Sequence, residues 1–145
     1  MKKLVPDSSV IVKWVSQDNE LYLQQANRIL QDVQKGDVSL LTPELAKYEV
    51  GNALLKKGLT SSQAFHSLGT VSSLPIQFVT ETHELAALTY QMAYDLRLAG
   101  DKKFTYYDAA FTALAKQEGA VLITDNPKHQ AKVSGIKVVP LEKYK

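Results

Sequence analysis

The sequence predicts an α/β protein: a central, mainly parallel sheet with helices on both faces. Short apolar runs at residues 4–5, 38–41, 76–79, 120–124 and 136–139 read as strands, and the segments between them repeat their apolar residues at helical spacing. Strands that alternate with helices in this way pair in parallel, because parallel neighbours need crossovers, and the crossovers are right-handed. At 145 residues the chain is expected to form one domain, 1–145, with enough length to bury a core unaided.

The first strand ends at Asp7, and the carboxyl end of a strand is where open α/β folds place their ligands. An apolar run follows, so Asp7, Ser8 or Ser9 can equally cap the helix it begins. Pro6 removes a ladder donor from a presumed central strand, which predicts that the strand ends early or bulges just before the acid. Leu21, Leu23, Ala26, Ile29, Leu30 and Val33 predict a helix that stops at Gly36.

After the strand at 38–41, Thr42-Pro43-Glu44 reads as a hydroxyl cap, a proline in the first helical position and an acid in the first turn. That helix runs to about Gly58 with Leu45, Val50, Ala53 and Leu54 inward, and Glu49 borders the buried side near Tyr48 and Asn52. Thr60-Ser61-Ser62 opens another helix, ended by Leu74-Pro75. The weakly alternating run at 76–79 is a strand nearer a sheet edge.

A long helix is expected over 81–100, then a polar connection at 101–103. Thr105 and Asp108 are spaced like a cap and its third-position acid at the head of a helix over 105–118. Small residues at Ala109, Ala110, Ala113 and Ala115 let that helix pack close to a neighbour. An acid so near a packed face is costly unless something positive sits by it. The run 120–124 is the cleanest strand, Asp125-Asn126-Pro127 is a turn, and a short helix at 127–133 leads to the last strand.

Composition narrows the function. A hydrophobic share of 45% with 22% charged residues is that of a globular protein. With no cysteine there is no disulfide framework, thiolate metal site or thiol nucleophile, so any metal is held by oxygen or imidazole. The N-terminal lysines precede only a short apolar run broken by Pro6 and Asp7, which is no signal peptide, and no stretch reaches membrane-spanning length. A cytoplasmic protein is the expectation. A formal charge of +2 does not announce nucleic-acid binding; only its distribution could matter.

The blocks Asp7-Ser8-Ser9-Val10-Ile11-Val12-Lys13-Trp14, Pro43-Glu44-Leu45-Ala46-Lys47-Tyr48-Glu49-Val50-Gly51-Asn52-Ala53-Leu54, Thr105-Tyr106-Tyr107-Asp108-Ala109-Ala110-Phe111 and Leu122-Ile123-Thr124-Asp125 resemble the PIN-domain ribonucleases, and within these the VapC-like toxins of toxin-antitoxin pairs. The resemblance implies a three-layer α/β/α sandwich. It also implies Mg²⁺- or Mn²⁺-dependent hydrolysis of RNA that leaves 5′-phosphate and 3′-hydroxyl ends. By position, Asp7, Glu49 and Asp108 match the family's best-defined acids, and Ser9 matches a small hydroxyl beside the first.

The family's fourth acid commonly stands where this chain has Asn126, with Asp125 one place earlier. Either Asp125 takes over or Asn126 gives a neutral oxygen, and Asp125 is the preferred choice. The resulting assignment gives catalysis to Asp7, Glu49, Asp108 and Asp125, metal binding to Asp7 and Asp108, and support to Ser9, Thr124 and Asn126. Lys13, Lys47, Lys102, Lys103, Lys128, His129 and Lys132 are candidates to hold an RNA backbone. His66 and His83 read as ordinary helix residues.

The family further implies a small antitoxin partner and a homodimer, with Trp14, Leu21, Leu23 and the helix from Ser61 as candidate surface. A haloacid-dehalogenase-like phosphatase would want an acid at Ser9, and a receiver domain a second acid after the first strand and a better-placed lysine than Lys128. The alternative of another class is a PIN-like domain that no longer cuts and serves as an RNA- or protein-binding module.

Overall fold

The computed structural model describes residues 1–127, 130–133 and 135–145. Its centre is a five-stranded sheet in the order β3-β2-β1-β4-β5, all neighbours parallel. The strands are β1 (Lys2–Pro6), β2 (Val38–Pro43), β3 (Ile76–Val79), β4 (Val121–Thr124) and β5 (Lys137–Pro140). Between them lie α1 (Ser8–Val15), α2 (Leu23–Gln34), α3 (Leu45–Lys56), α4 (Ser61–Ser73), α5 (His83–Leu98) and α6 (Tyr106–Glu118). The expected α/β/α sandwich is present. One face carries α1 and α2, with α3 and α4 packed on α1; α6 covers the other face with α5 against it.

The central strand is β1, where Leu4 and Val5 are wholly buried. The chain leaves it toward β2 on one side and β4 on the other, so the strand order reverses at the β1–β4 boundary, where ligands gather in open α/β sheets. The alanines of α6 act as read: Ala109, Ala113 and Ala115 are buried where the helix meets the sheet and α5. The expected edge strand at 76–79 is β3, at one end of the sheet.

Three local readings are corrected. Pro6 neither ends β1 early nor bulges it: Pro6 lies opposite Ile123 in register, and the next N–H, from Asp7, reaches Ile123 O at 3.0 Å. Backbone N–H groups alternate sides along a strand, so the missing donor faces β2. There the register stops at Leu4, and the Thr42 hydroxyl donates to Pro6 O at 2.9 Å instead. Thr42 is therefore not a helix cap, and Pro43 is a strand residue opposite Val79. The helix starts later, with Glu44 in the cap position and no side-chain cap bond.

The third correction concerns residues 127–133, where the described part forms only a single 3-10 turn at Gln130–Lys132. Smaller shifts affect two helix starts. The helix expected from Glu81 starts at His83, with Thr82 as its cap, accepting from Leu85 N–H. Leu21 stays outside α2 and is exposed.

Candidate active site and its neighbouring ion network

Asp7 leaves β1 with extended backbone, φ −83° and ψ 178°, and its carboxylate turns back to accept the Ser9 N–H at 3.0 Å. The capping alternative is thus realised, but the carboxylate does more. The Ser9 hydroxyl donates to the same oxygen, Oδ1. Ser9 Oγ in turn accepts the Asp125 N–H at 3.0 Å. The Thr124 hydroxyl, which accepts the Asn126 N–H at 3.2 Å, is close enough to hydrogen-bond Asp7 as well. Burial pushes the Asp7 carboxyl above its ordinary value, against the pull of these hydrogen bonds.

Glu49 is half-buried on α3, and its Oε1 accepts the Ser8 hydroxyl at 2.5 Å. Burial raises its pKa, the Ser8 bond opposes that, and the negative charges of Asp7 and Asp108 raise it further. Asp7 and Asp108 are therefore both within electrostatic reach of Glu49, although the three stand far apart in sequence. Asp108 sits in a complete capping box: Thr105 N–H reaches Asp108 Oδ2 at 3.0 Å, and Asp108 N–H reaches Thr105 Oγ1 at 3.0 Å. The positive neighbour expected beside it is not found among the described residues. The N-terminal N–H groups and dipole of α6 favour the charge in its place.

No described lysine or arginine pairs with Asp7, Glu49 or Asp108. Glu49 opens onto a cleft of about 450 Å³ lined also by Ser8, Tyr48, Asn52, Lys56 and Tyr107. A second cleft of about 230 Å³, mostly apolar, adjoins it through Leu45 and Tyr107. Among the described residues, no three His, Cys, Asp or Glu side chains stand close enough to enclose a metal ion as they are. Yet the donors are all hard oxygen. Mg²⁺ keeps several of its waters and takes one or two carboxylates plus substrate phosphate, so these residues fit such an ion without a ready-made cage.

Asp125 lies apart from that group. Its Oδ2 faces Lys13 Nζ at 3.0 Å, and Lys13 also meets Glu20 Oε1 at 2.9 Å. Lys57 Nζ closes the network on Glu20 Oε2 at 2.9 Å and reaches the Ser16 and Asp18 carbonyls. Burial draws the Lys13 pKa down, but its bonds to Glu20 and Asp125 outweigh this and the net shift is upward. Burial likewise raises Glu20, and the bonds from Lys57 and Lys13 more than reverse it.

This corrects one expected RNA contact. With its side chain 1% exposed and paired on two sides, Lys13 cannot offer its ammonium to a phosphate backbone. Lys47 is half-exposed, bridges Glu44 at 3.2 Å and lies over the Phe78 ring at 4.5 Å. Lys102 and Lys103 are exposed before α6, and Lys132 reaches Asp101 at 3.7 Å. Lys128 and His129 lie outside the described residues. Trp14 is core, its indole N–H donating to Ala26 O at 2.8 Å, whereas Phe65 and Leu68 on α4 are exposed.

Sequence reasoning missed Ser8, Glu20 and Lys57. Nothing local marks Ser8, whose partner is 41 residues away. Lys13 stands inside the apolar run Val10 to Val15, but a lysine there can keep its ammonium in water, and nothing in the sequence names Glu20 or Asp125 as its partner.

Comparison with known proteins bears on the fold and the family. Among curated proteins none matches the chain in sequence. Solved structures share its fold at low identity. A chain of the VapBC2 complex from Rickettsia felis, bound to a fragment of promoter DNA, superposes with a TM-score of 0.74 at 12% identity, covering 95% of this chain and 98% of that one. A chain of the DNA-bound VapBC complex from Salmonella typhimurium gives 0.70 at 16%, covering 97% and 99%. VapC20 from Mycobacterium tuberculosis, a sarcin-ricin loop cleaving toxin, gives 0.65 at 12%, covering 92% and 98%. The PIN domain family model matches residues 4–136, which takes in β1 through the turn before β5 and every acid described above, and the chain belongs to the PIN domain family.

Proposed function

We propose that this chain, acting as one PIN-like unit over 1–145, is a Mg²⁺- or Mn²⁺-dependent endoribonuclease and the toxin of a type II toxin-antitoxin pair. The observation that carries the reading is that Asp7, at the carboxyl end of the central strand, and Asp108 both act electrostatically on the half-buried Glu49, with no described cation paired to any of the three. Family membership supports nuclease chemistry. The fold shared with chains of VapBC complexes supports a small antitoxin as partner, with the exposed Phe65 and Leu68 of α4 as one apolar surface it can cover. A homodimer and a cytoplasmic location belong to the same reading; no described helix is long and apolar enough to cross a membrane.

Asp7 and Asp108 would hold the cation, each from a side chain already oriented by hydrogen bonds. When bound, a divalent ion supplies an acidified water and charge stabilisation for in-line hydrolysis of a phosphodiester. Glu49, fixed by Ser8, would orient the attacking water from the side of α3. Tyr48 and Tyr107, both exposed beside Glu49, offer faces on which unpaired bases stack, and Lys56 offers a phosphate contact.

The test is cleavage of a mixed RNA pool with and without Mn²⁺. Wild-type protein is expected to cut only with metal, and Asp7→Asn or Asp108→Asn to lose more than the about 10–100-fold typical of a partner one step removed from a metal. RNA left intact by wild type under all metal conditions would overturn the nuclease reading and favour a binding module.

A further inference from the structure

Two successive backbone N–H groups at the end of β4, from Asp125 and Asn126, are used in the same way. The first is accepted by Ser9 Oγ and the second by Thr124 Oγ1, and both hydroxyls work on Asp7. A hydroxyl has one proton to give. Once the Ser9 oxygen accepts the Asp125 N–H, its proton is directed to Asp7 Oδ1. The orientation of Asp7 therefore depends on where the turn at 124–126 sits.

What pins that turn is a side chain. Asp125 is anchored through Oδ2 to Lys13 Nζ at 3.0 Å, and the Lys13 side chain is 1% exposed. Lys13 is itself held from the far side by Glu20, which Lys57 holds in turn. We infer that Lys13 is a positioning residue for the Asp7 metal site, acting through the Asp125 carboxylate, the turn at 124–126 and the Ser9 hydroxyl. On this view Asp125 is the counter-ion that carries the effect and not a fourth metal ligand. The inference rests on the nuclease reading above, since it concerns the site where that reading places the cation.

The experiment measures Mn²⁺ affinity calorimetrically, beside thermal unfolding and RNA cleavage, for wild type, Lys13→Met, Asp125→Asn and Glu20→Gln. Breaking a partner one step removed from a metal ligand lowers affinity about 10–100-fold, and that loss is expected for Lys13→Met, with kcat falling and KM for RNA unchanged. Asp125→Asn, which keeps the backbone N–H and the shape, is expected to weaken Mn²⁺ in the same direction by a smaller factor and serves if Lys13→Met does not fold. Glu20→Gln disturbs the same network on the side away from the turn. It is expected to lower the melting temperature while leaving Mn²⁺ affinity unchanged.

Equal affinity in wild type, Lys13→Met and Asp125→Asn would overturn the inference and leave Lys13 a structural residue, with the nuclease reading untouched. So would a Glu20→Gln variant that loses as much affinity as Lys13→Met. Complete loss of Mn²⁺ binding in Asp125→Asn, with Lys13→Met binding normally, would make Asp125 a ligand. Wild-type protein without Mn²⁺ affinity or cleavage would remove the nuclease reading itself and this inference with it.

Discussion

Two charged groups lie on either side of the Ser9 hydroxyl and are built on opposite terms. On one side Lys13, Lys57, Glu20 and Asp125 alternate in sign, and each ammonium touches a carboxylate within 3.0 Å. On the other side Asp7, Glu49 and Asp108 share one sign, and among the described residues their donors are hydroxyls and backbone N–H groups. The first group pairs its charges internally. Among the described residues the second has charge left over, and beside the larger effect of burial the charges of Asp7 and Asp108 push Glu49 upward. Groups that satisfy one another hold a fold together, whereas like charges kept close wait for a partner of opposite charge.

Stability measurements can break this comparison, and its largest expected effect is on the complete side. Lys13→Met leaves Asp125, its side chain 30% exposed, without its cation, while Glu20 keeps Lys57; a loss of about 1–3 kcal/mol is expected for polar groups left without a partner. Urea denaturation without metal would read this, and a loss below about 0.5 kcal/mol would mean that the network contributes nothing.

A smaller effect sharpens the contrast through pH. Because Lys57 and Lys13 hold Glu20 below its ordinary value of 4.5, its stabilisation is fully present above that pH. It is lost as pH falls through the lower value in the folded state. Wild-type melting temperature is expected to drop over that acid interval, and Glu20→Gln, already less stable at neutral pH, to flatten the drop. A variant with the same acid slope as wild type would sink the assignment.

The smallest effect is on the incomplete side. Glu49→Gln keeps the Ser8 bond and removes one of three like charges, so metal-free stability is expected within about 0.5 kcal/mol of wild type or above it. A clear loss in thermal unfolding would show that Glu49 is held by attraction that the present geometry does not contain.

The sheet was legible because strands buried on both faces are short, apolar and separated by helical periods, and β1 to Asp7 could be placed from Leu4 and Val5 alone. Thr42-Pro43-Glu44 misled for a physical reason. A hydroxyl before a proline before an acid suits a helix start, and choosing between that and a strand end needed the acceptor at Pro6, 36 residues away. Asp108 shows the converse. Its spacing from Thr105 announced a capping box that the structure contains, and the carboxylate so held acts electrostatically on Glu49.

Lys13 was the least legible of the expected contacts. A lysine on a helix is ordinarily solvated, and only packing of α1 against its neighbours, with Asp125 arriving from β4, shows the ammonium enclosed. Asp125 itself followed a strand as Asp7 does, and sequence position could not say which way either carboxylate would face. One is held by hydroxyl and backbone donors and the other by a cation.

Because the two N–H groups after β4 belong to the main chain, the service they render to Asp7 makes no demand on what hangs from position 126. Asparagine in place of an acid leaves that service intact. Proline, with no hydrogen on its nitrogen, would not. Position 126 is thus closed to imino acids, and a saturation library at this one codon would show proline missing among the active variants.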